Sequence, residues 1–340
     1  MAVVECLTYD EALRPWQELM AGAYRHDVWQ SYQWAGLEKN VNGNEPLFLV
    51  VRNGEQIVGG QLVIKRGVLG VLSGYETAGG PVYQNGYAEE VFESILTYLE
   101  QASSRAFYQT LRPQAPHEWD AALQRRGFRK SEAYTFLLNL TKGEEQVWGG
   151  LESNTRNKVR KSAKVGVEVR DGATWEEWEA FDALQQQHHG EKGIPPVSKA
   201  ALRYLFEHML PARQCKLFTA HLEGRCVGGL VLVVADRAML TLARAADSGA
   251  LQASPNEAVM WEAIKWGCNH GVELHDLHDT DPREDSPLYG IHRFKAKWGA
   301  ELVERSYYIK GKTYLWARDR LNNDGVVRRV ANFLRQRKWA

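Results

Sequence analysis

The chain has 340 residues, and its 42 Lys and Arg side chains balance 42 Asp and Glu side chains, so the formal net charge is zero. A composition of 44% hydrophobic and 25% charged residues is that of a folded globular protein, which excludes a disordered or collagen-like chain. At ~100–200 residues per domain, this length predicts about two domains.

The sequence shows no pattern of a membrane span, a secretion signal or a metal centre. Its longest apolar run, residues 227–235, has the length of a strand and falls short of the ~20 residues that a membrane helix needs. Acidic residues stand near the N-terminus, where a signal peptide carries basic ones. The 4 cysteines are scattered, which argues against a zinc site and for a reducing compartment. We therefore expect a cytoplasmic protein without a metal ion or a nucleotide cofactor.

In chain order, hydrophobic periodicity predicts two similar series of helices and strands. The first half is predicted to contain helices at residues 9–24, 31–39, 89–102 and 116–126 and strands at residues 46–52, 56–65, 107–111 and 134–140, of which the last is expected to close this half. The second half is predicted to contain helices at residues 174–187, 198–210 and 255–269 and strands at residues 167–170, 215–222, 225–235, 237–245 and 273–277.

Two predicted hairpins share a pattern that indicates an internal duplication. In each half, the second strand of a hairpin carries a Gly-Gly pair shortly after a turn glycine, at residues 59–60 and 228–229. Glycine inside a strand indicates a bulge, a close approach by a neighbouring group or tight packing. The repeat predicts two copies of one mixed α/β unit. We place them at residues 1–145 and 146–310, followed by a basic helical segment at residues 311–340 that packs back on the first domain.

Positive charge is concentrated in two segments. Residues 151–170 hold 6 basic and 2 acidic side chains, and residues 310–340 hold 9 and 2. Arg156, Arg160 and Lys164 are spaced by four, which places them on one face of a helix. Such a face binds RNA phosphates or a diphosphate, or it is a solvated helix surface, and the sequence leaves both interpretations open.

Four stretches of the sequence carry a family resemblance: residues 30–34 (QSYQW), 134–140 (YTFLLNL), 154–167 (NTRNKVRKSAKVGV) and 290–299 (GIHRFKAKWG). They resemble motifs of the Fem-type aminoacyltransferases (FemA, FemB and FemX). The resemblance covers nearly the whole chain. It implies a mixed α/β fold with two tandem GNAT-like acyltransferase domains, of the compact FemX type without a coiled-coil arm.

The resemblance implies transfer of an amino acid from aminoacyl-tRNA to the amine of a peptide-like acceptor, with formation of an amide bond. Aminoacyl-tRNA is then the co-substrate, and no cofactor is needed. The acceptor is a peptidoglycan precursor or a peptide natural product. Where many members have Asp-Phe-Gly-Gly, this chain has Asp-Leu-His-Asp at residues 276–279, which leaves the acceptor open. We also expect the protein to be a monomer or a weak dimer and to make a peripheral contact with an anionic membrane.

Two residues are predicted to act in catalysis. Lys295, flanked by Phe294 and Trp298, is predicted to be a fixed cation beside the oxyanion of the reacting ester, and the alternative is a surface lysine. Asp276, at the carboxyl end of a predicted strand, is predicted to orient or deprotonate the acceptor amine, and the alternative is a capping carboxylate.

Further residues are predicted to bind the substrates. The substrate-binding set is Tyr289, His292, Phe294, Trp34 and Lys39. The set predicted to bind tRNA or phosphate is Arg156, Arg160, Lys161, Lys164, Arg328 and Arg329. A metal site at His275 and His278 is disfavoured, because side chains three residues apart leave opposite faces of a strand, and a solvated loop is expected there instead.

Two other functions stay open at this point. The first is an acyl-CoA-dependent N-acyltransferase, since the GNAT-like fold also serves that chemistry. Such enzymes hold the pyrophosphate of CoA at a glycine-rich helix start, and neither residues 77–81 nor residues 246–250 have that loop pattern. The second is a non-catalytic binding module built from two decayed acyltransferase domains.

Overall fold

The computed structural model describes residues 2–23, 28–68, 72–102, 106–113, 116–192, 196–235, 237–286 and 289–315. Its contacts divide the chain into two units, Met1–Ala133 with Glu304–Ala340, and Tyr134–Val303. Each unit has its own sheet and its own helices.

The elements alternate as the periodicity predicts. The first unit contains β1 (Val3–Thr8), α1 (Tyr9–Gly22), α2 (Tyr32–Asn40), β2 (Glu45–Asn53), β3 (Gln56–Val68), β4 (Leu72–Glu76), β5 (Val82–Tyr83), α3 (Ala88–Ala102), β6 (Tyr108–Leu111), α4 (Pro116–Arg125) and β7 (Arg129–Ser131). The second contains β8 (Tyr134–Asn139), α5 (Gly143–Gly150), α6 (Ser153–Lys164), β9 (Glu168–Asp171), α7 (Trp175–Lys192), α8 (Lys199–Tyr204), β10 (Cys215–Leu222), β11 (Arg225–Ala235), β12 (Ala238–Ala246), α9 (Pro255–Asn269), β13 (Leu274–Thr280), α10 (Tyr289–Ala296) and β14 (Glu301–Glu304). The last strand, β15 (Tyr307–Lys310), returns to the first sheet.

The helices begin at capping residues that the sequence displays. At α1, the backbone N–H of Thr8 donates to the Glu11 carboxylate at 2.9 Å, one half of a capping box. Ser31 accepts the N–H of Trp34 at 3.1 Å at the start of α2, and Ser198 accepts the N–H of Ala201 at 3.2 Å at α8.

Among the strand pairs whose register the structure describes, each sheet has a parallel pair beside antiparallel ones. The first sheet has the order β1-β2-β3-β4-β6-β15-β7, with β5 beside β3, and the second has the order β14-β8-β13-β12-β11-β10-β9. The parallel pairs are β4 with β6 and β12 with β13. Each pair stands at the equivalent place after its hairpin, which confirms the two tandem copies of one GNAT-like unit.

The glycine pairs occupy equivalent places in the two hairpins. Each hairpin shifts its register by a bulge beside the pair. In each pair, one glycine faces the helix before the hairpin and the other faces the helix after it. A Cβ atom would lie 2.8 Å or less from the following side chains: Trp16 of α1 (at Gly60), Val91 of α3 (at Gly59), Phe181 of α7 (at Gly229) and Pro255 of α9 (at Gly228). Helices therefore pack against both faces of each sheet where only glycine fits.

One strand pairs differently from the sequence prediction, and another was not predicted. The strand at residues 134–140, expected to close the first half, is β8, which pairs with β13 in the second sheet. The first sheet is completed instead by β15, which lies between β6 and β7. Pairing between strands so distant in sequence depends on the tertiary fold and leaves no local pattern. The predicted domain boundaries at residues 145 and 310 stay predictions, and residues 316–340 of the predicted basic segment lie outside the described residues.

Candidate functional site

A place where two parallel strands separate forms the centre of the second unit. β12 and β13 pair only along Ala238–Leu240, the last pair being Leu240 with Asp276. Beyond it, β12 stays paired with β11, and β13 pairs with β8 alone. The backbone at this divergence faces no neighbouring strand on one side, as at the strand ends where ligands bind in α/β folds.

Asp276 organises the turn of β13 just past this point. Its Oδ1 atom accepts the hydroxyl of Thr135 on β8 and the backbone N–H of His278, the latter at 2.8 Å. His278 has a left-handed backbone with a φ of 70°, and the pairing with β8 is irregular between Asp276 and Asp279. His278 stands where the Fem-type pattern has its first glycine, and its φ is one that glycine adopts without strain. The carboxylate thus holds the bulge, which is a positioning role, and its proposed contact with the acceptor amine stays a prediction.

Lys295 of α10 reaches the backbone of this bulge. Its Nζ atom donates to the carbonyl oxygens of His278 at 2.9 Å and Asp279 at 2.7 Å, and the residue is 8% exposed. Burial lowers the pKa of Lys295 to about 8, as does the positive charge of Arg244. An ammonium has three N–H donors, and the third has no acceptor among the described residues. Lys295 is therefore a buried, positioned cation and not the surface lysine of the alternative interpretation.

Arg244 of β12 is a second cation at this site, and the sequence analysis missed it. Its guanidinium carbon lies 3.7 Å from the ring centroid of Phe294, the residue before Lys295. Burial lowers the pKa of Arg244 to about 10, and Glu257 opposes the shift. The only sequence signal was one arginine within an apolar strand, a pattern also expected of a residue at a sheet edge.

A further ion pair borders the same ring. Lys297 Nζ lies 4.1 Å from the Phe294 centroid and donates to Glu257 Oε1 at 2.7 Å, while Lys158 Nζ lies 3.4 Å from the same oxygen. Burial raises the pKa of Glu257, but the hydrogen bond from Lys297 and the two positive charges outweigh burial, so that its pKa is lowered. Two lysines therefore neutralise Glu257. One of them, Lys158, lies on α6, which carries the predicted basic face.

Two other predicted substrate-binding residues of α10, Tyr289 and His292, belong to an aromatic cluster. Tyr289 and His292 stack with centroids 5.7 Å apart, and His292 lies 5.0 Å from Phe136 of β8. His292 Nδ1 is buried without a hydrogen-bond partner among the described residues. The structure therefore brings Asp276, Tyr289, His292, Phe294 and Lys295 together in one unit.

Trp34 and Lys39 lie in the first unit, where Trp34 lines a cavity. The cavity has a volume of about 540 Å³, and Trp34 lines it with Trp29, the two indoles packing edge to face at 4.3 Å. Lys39 is not among its lining residues, because Asp10 holds its ammonium at 2.9 Å. The substrate-binding roles of both residues stay predictions.

The polar wall of this cavity is a charge network that sequence reasoning missed. Arg66 lies between Glu76, at 2.6 Å, and Glu38, at 3.3 Å. The Tyr108 hydroxyl donates to Glu76, and burial together with that carboxylate raises the pKa of Tyr108. Glu76 is the last residue of the parallel pairing of β4 with β6 and Thr77 follows it, so that this cavity lies at the end of the parallel pair, as the site of the second unit does.

The basic face of α6 divides into a structural and an exposed part. Arg156 donates to the carbonyl oxygens of Leu151 and Gly149, the latter at 3.1 Å, and so caps the end of α5. Arg160 is exposed and lies 5.3 Å from the Trp148 centroid, and Lys161 and Lys164 are exposed. Arg328 and Arg329 lie outside the described residues.

The histidine-rich segment is a strand, so the expectation of a solvated loop is wrong. His275 is fully buried, and its Nε2 lies 2.9 Å from the Thr241 hydroxyl. Burial lowers the pKa of His275 to about 3, so the ring is neutral. The described part of the chain contains no group of three or more His, Cys, Asp or Glu side chains arranged to hold a metal ion. Nor do the described helices include one with the length and apolar character that crossing a bilayer requires.

Comparison with known proteins agrees with this architecture. A family model described as an acetyltransferase (GNAT) domain matches residues 151–289. The crystal structure of FemX superposes with a TM-score of 0.75 at 15% identity, over 90% of this chain and 96% of that one. A tandem GNAT protein from the clavulanic acid biosynthesis pathway gives a TM-score of 0.58 at 14% identity, over 91% and 98%. The fold is therefore that of two tandem GNAT-like domains.

Sequence relatives point to the Fem type. A Lipid II:glycine glycyltransferase of Staphylococcus epidermidis is 32% identical over 126 residues, which are 36% of this chain and 30% of the relative. The protein of the same name from Staphylococcus aureus is 31% identical over 87 residues, 25% of this chain and 21% of the relative. The chain thus matches less than a third of the length of these relatives. The resemblance to the Fem-type aminoacyltransferases is confirmed.

Proposed function

We propose that the protein is an acyltransferase that forms an amide bond, with aminoacyl-tRNA as the donor and the amine of a peptide-like molecule, such as a peptidoglycan precursor, as the acceptor. The observation that carries the proposal is the buried ammonium of Lys295, held by two backbone carbonyls where β12 and β13 separate. The named function of the staphylococcal relatives supports this class of acceptor.

The chemistry needs a positioned cation more than a nucleophile. An aminoacyl ester is already activated, so the acceptor amine attacks its carbonyl carbon directly, a C–N bond forms and the carbonyl oxygen becomes an oxyanion. The C–O bond of the ester then breaks, and the departing ribose oxygen ends with the proton of the attacking amine. Because the attacking amine supplies the proton that the ribose oxygen takes up, the reaction requires no net proton from the protein. The step that the protein accelerates is the formation of the oxyanion.

Lys295 fits the stabilisation of that oxyanion. With a pKa of about 8 it is mainly protonated at neutral pH, and its third N–H is available for a substrate oxygen. The two carbonyl oxygens fix its position before substrate binds, so little reorganisation is needed in the transition state. Asp276 contributes indirectly, because it holds the bulge that presents both carbonyls.

The loop before α9 argues against CoA as the donor in the second unit. A pyrophosphate at this helix start would need free backbone N–H groups and no negative charge nearby. Here the N–H of Gly249 donates to Asp247 Oδ1 at 2.9 Å, and Pro255 supplies no N–H at the first turn of α9. Asp247 and Glu257 are paired with Arg225 and Lys297, so what disfavours a pyrophosphate here is the lack of free backbone N–H groups.

One experiment separates the three functions considered from the sequence. The purified protein is incubated with an acceptor peptide and either a pool of aminoacyl-tRNA or acetyl-CoA, and loss of the ester or thioester is followed together with amide formation. Acceptor-dependent deacylation of tRNA supports the proposal. Consumption of acetyl-CoA alone would favour the N-acyltransferase, and consumption of neither donor would favour the binding module. A cytoplasmic location, a contact with anionic membrane and the oligomeric state stay predictions.

A further inference from the structure

Arg244 is a cation without a direct anionic partner among the described residues. Among the described residues it forms no ion pair and no hydrogen bond, although the three neighbouring charges at this site are engaged: Lys297 with Glu257, and Lys295 with two carbonyl oxygens. Its guanidinium carbon lies over the ring of Phe294, 3.7 Å from the centroid. None of its N–H groups donates to a described residue.

Such an arrangement is unfavourable for the free protein. Burial lowers the pKa of Arg244, which means that the site disfavours its charge. The positive charge of Lys295 lies close enough to be repelled, and the half-buried guanidinium has no ion pair among the described residues to offset that repulsion. A planar fork with unused N–H donors matches the two oxygens of a carboxylate or a phosphate. An oxyanion supplied by a substrate would satisfy both the charge and the geometry.

We infer that Arg244 is a specificity-determining residue that binds an oxyanion of the substrate, a carboxylate or a phosphate, next to the amine or ester that reacts at Lys295. The inference rests on the proposed function for the identity of the substrate, but the oxyanion site itself does not. Two sources carry the same chemistry: the acceptor, through a carboxylate near its amine, and the donor, through a phosphate of the RNA.

The oxyanion site is tested first without turnover. The melting temperature is measured with increasing inorganic phosphate, and separately glutarate, against sodium chloride at equal ionic strength. The variants are Arg244→Gln and the matched control Arg237→Gln, whose arginine is 68% exposed and pairs with Glu273. We expect wild type and Arg237→Gln to be stabilised by the anions, and Arg244→Gln to lose that stabilisation. An equal anion response in all three proteins would overturn the inference.

The stability of the unliganded variant adds a second readout. Because the guanidinium has no ion pair or hydrogen bond among the described residues and loses only its contact with Phe294, Arg244→Gln should melt close to wild type in chloride. A structural arginine would behave in the opposite way, since its loss would leave polar groups unpaired. A marked drop in the melting temperature of Arg244→Gln would therefore contradict a substrate-binding role.

Steady-state kinetics then show whether the acceptor or the donor supplies the oxyanion. Two acceptor peptides are compared, one with lysine and one with 2,6-diaminopimelate, which adds a carboxylate to the carbon that bears the amine. If the acceptor supplies the oxyanion, wild type prefers the second peptide by roughly tenfold or more, and Arg244→Gln loses the preference. If the donor supplies it, the variant raises the KM for aminoacyl-tRNA equally with both peptides. Unchanged KM values for both substrates would overturn the inference. Absence of all turnover would contradict the proposed function and leave the anion-binding result to decide on Arg244.

Discussion

Asp276 Oδ1 accepts the backbone N–H of His278 at 2.8 Å, and His278 adopts a φ of 70°. A non-glycine residue in the left-handed region costs about 1 kcal/mol, so the carboxylate maintains a strained turn. This turn has a consequence for the site, because it places the carbonyls of His278 and Asp279 where both accept hydrogen bonds from Lys295.

The strain at residue 278 can be measured by substitution. His278→Gly removes the conformational cost, whereas His278→Ala retains it, and both lack the imidazole. We expect the glycine variant to have a free energy of unfolding about 1 kcal/mol higher than the alanine variant, measured by urea denaturation. Equal stabilities would show that the left-handed backbone is not the feature that favours glycine here.

The pH dependence of transfer distinguishes a cation from a base at Lys295. The pKa of Lys295 is about 8, below its ordinary value of 10.5. If the protonated form stabilises the oxyanion, kcat/KM falls as pH rises through about 8. Lys295→Arg keeps its charge over this range, so any activity that it retains should lose the falling limb. A rate that instead rises through this pKa would make Lys295 a general base.

The arginines of α6 should respond differently to substitution. Arg156 caps carbonyls of α5, so Arg156→Ala is expected to lower the free energy of unfolding by about 1–3 kcal/mol. Arg160→Glu leaves stability nearly unchanged, because Arg160 is exposed, but weakens the binding of tRNA and makes its salt dependence shallower. Filter binding at several salt concentrations checks this. Binding by Arg160→Glu that matches wild type at every salt concentration would remove the RNA-facing role of this face.

Local sequence patterns predicted the repeated unit correctly. Alternating apolar residues and turn glycines located the hairpins β2–β3 and β10–β11, and the glycine pairs within them left a bulge, a close approach and tight packing open. The structure shows a bulge beside each pair as well as tight packing, since a Cβ at Gly229, for example, would lie 2.3 Å from Phe181. The pairing of β8 and β15 was not predicted, because it depends on contacts between distant parts of the chain. β8 and β15 pair with strands more than a hundred residues away, and neither carries a mark of its partner.

The site was predicted only in part. Lys295 and Asp276 could be selected from a motif and a strand end, but their contacts depend on the left-handed turn at His278. Arg244 had no motif, and its significance arises because it forms no ion pair or hydrogen bond with the part of the chain that the structure describes. The sequence shows which charged residues the chain contains, but which of them are paired depends on the folded structure.

The single-turnover rate of aminoacyl transfer by Lys295→Met tests the account most directly. Methionine keeps the length of the stem and removes the charge, and Lys265→Met, which changes a lysine paired with Glu262, is the matched control. Removal of the disfavoured buried charge and loss of the hydrogen bonds to the carbonyls of His278 and Asp279 oppose each other, so Lys295→Met should melt close to wild type at pH 7. We predict a rate at least about tenfold lower for Lys295→Met, up to the ~10²–10³-fold typical of one oxyanion donor, and an unchanged rate for Lys265→Met. A wild-type rate in folded Lys295→Met, with the true donor and acceptor, would contradict the assignment of this site.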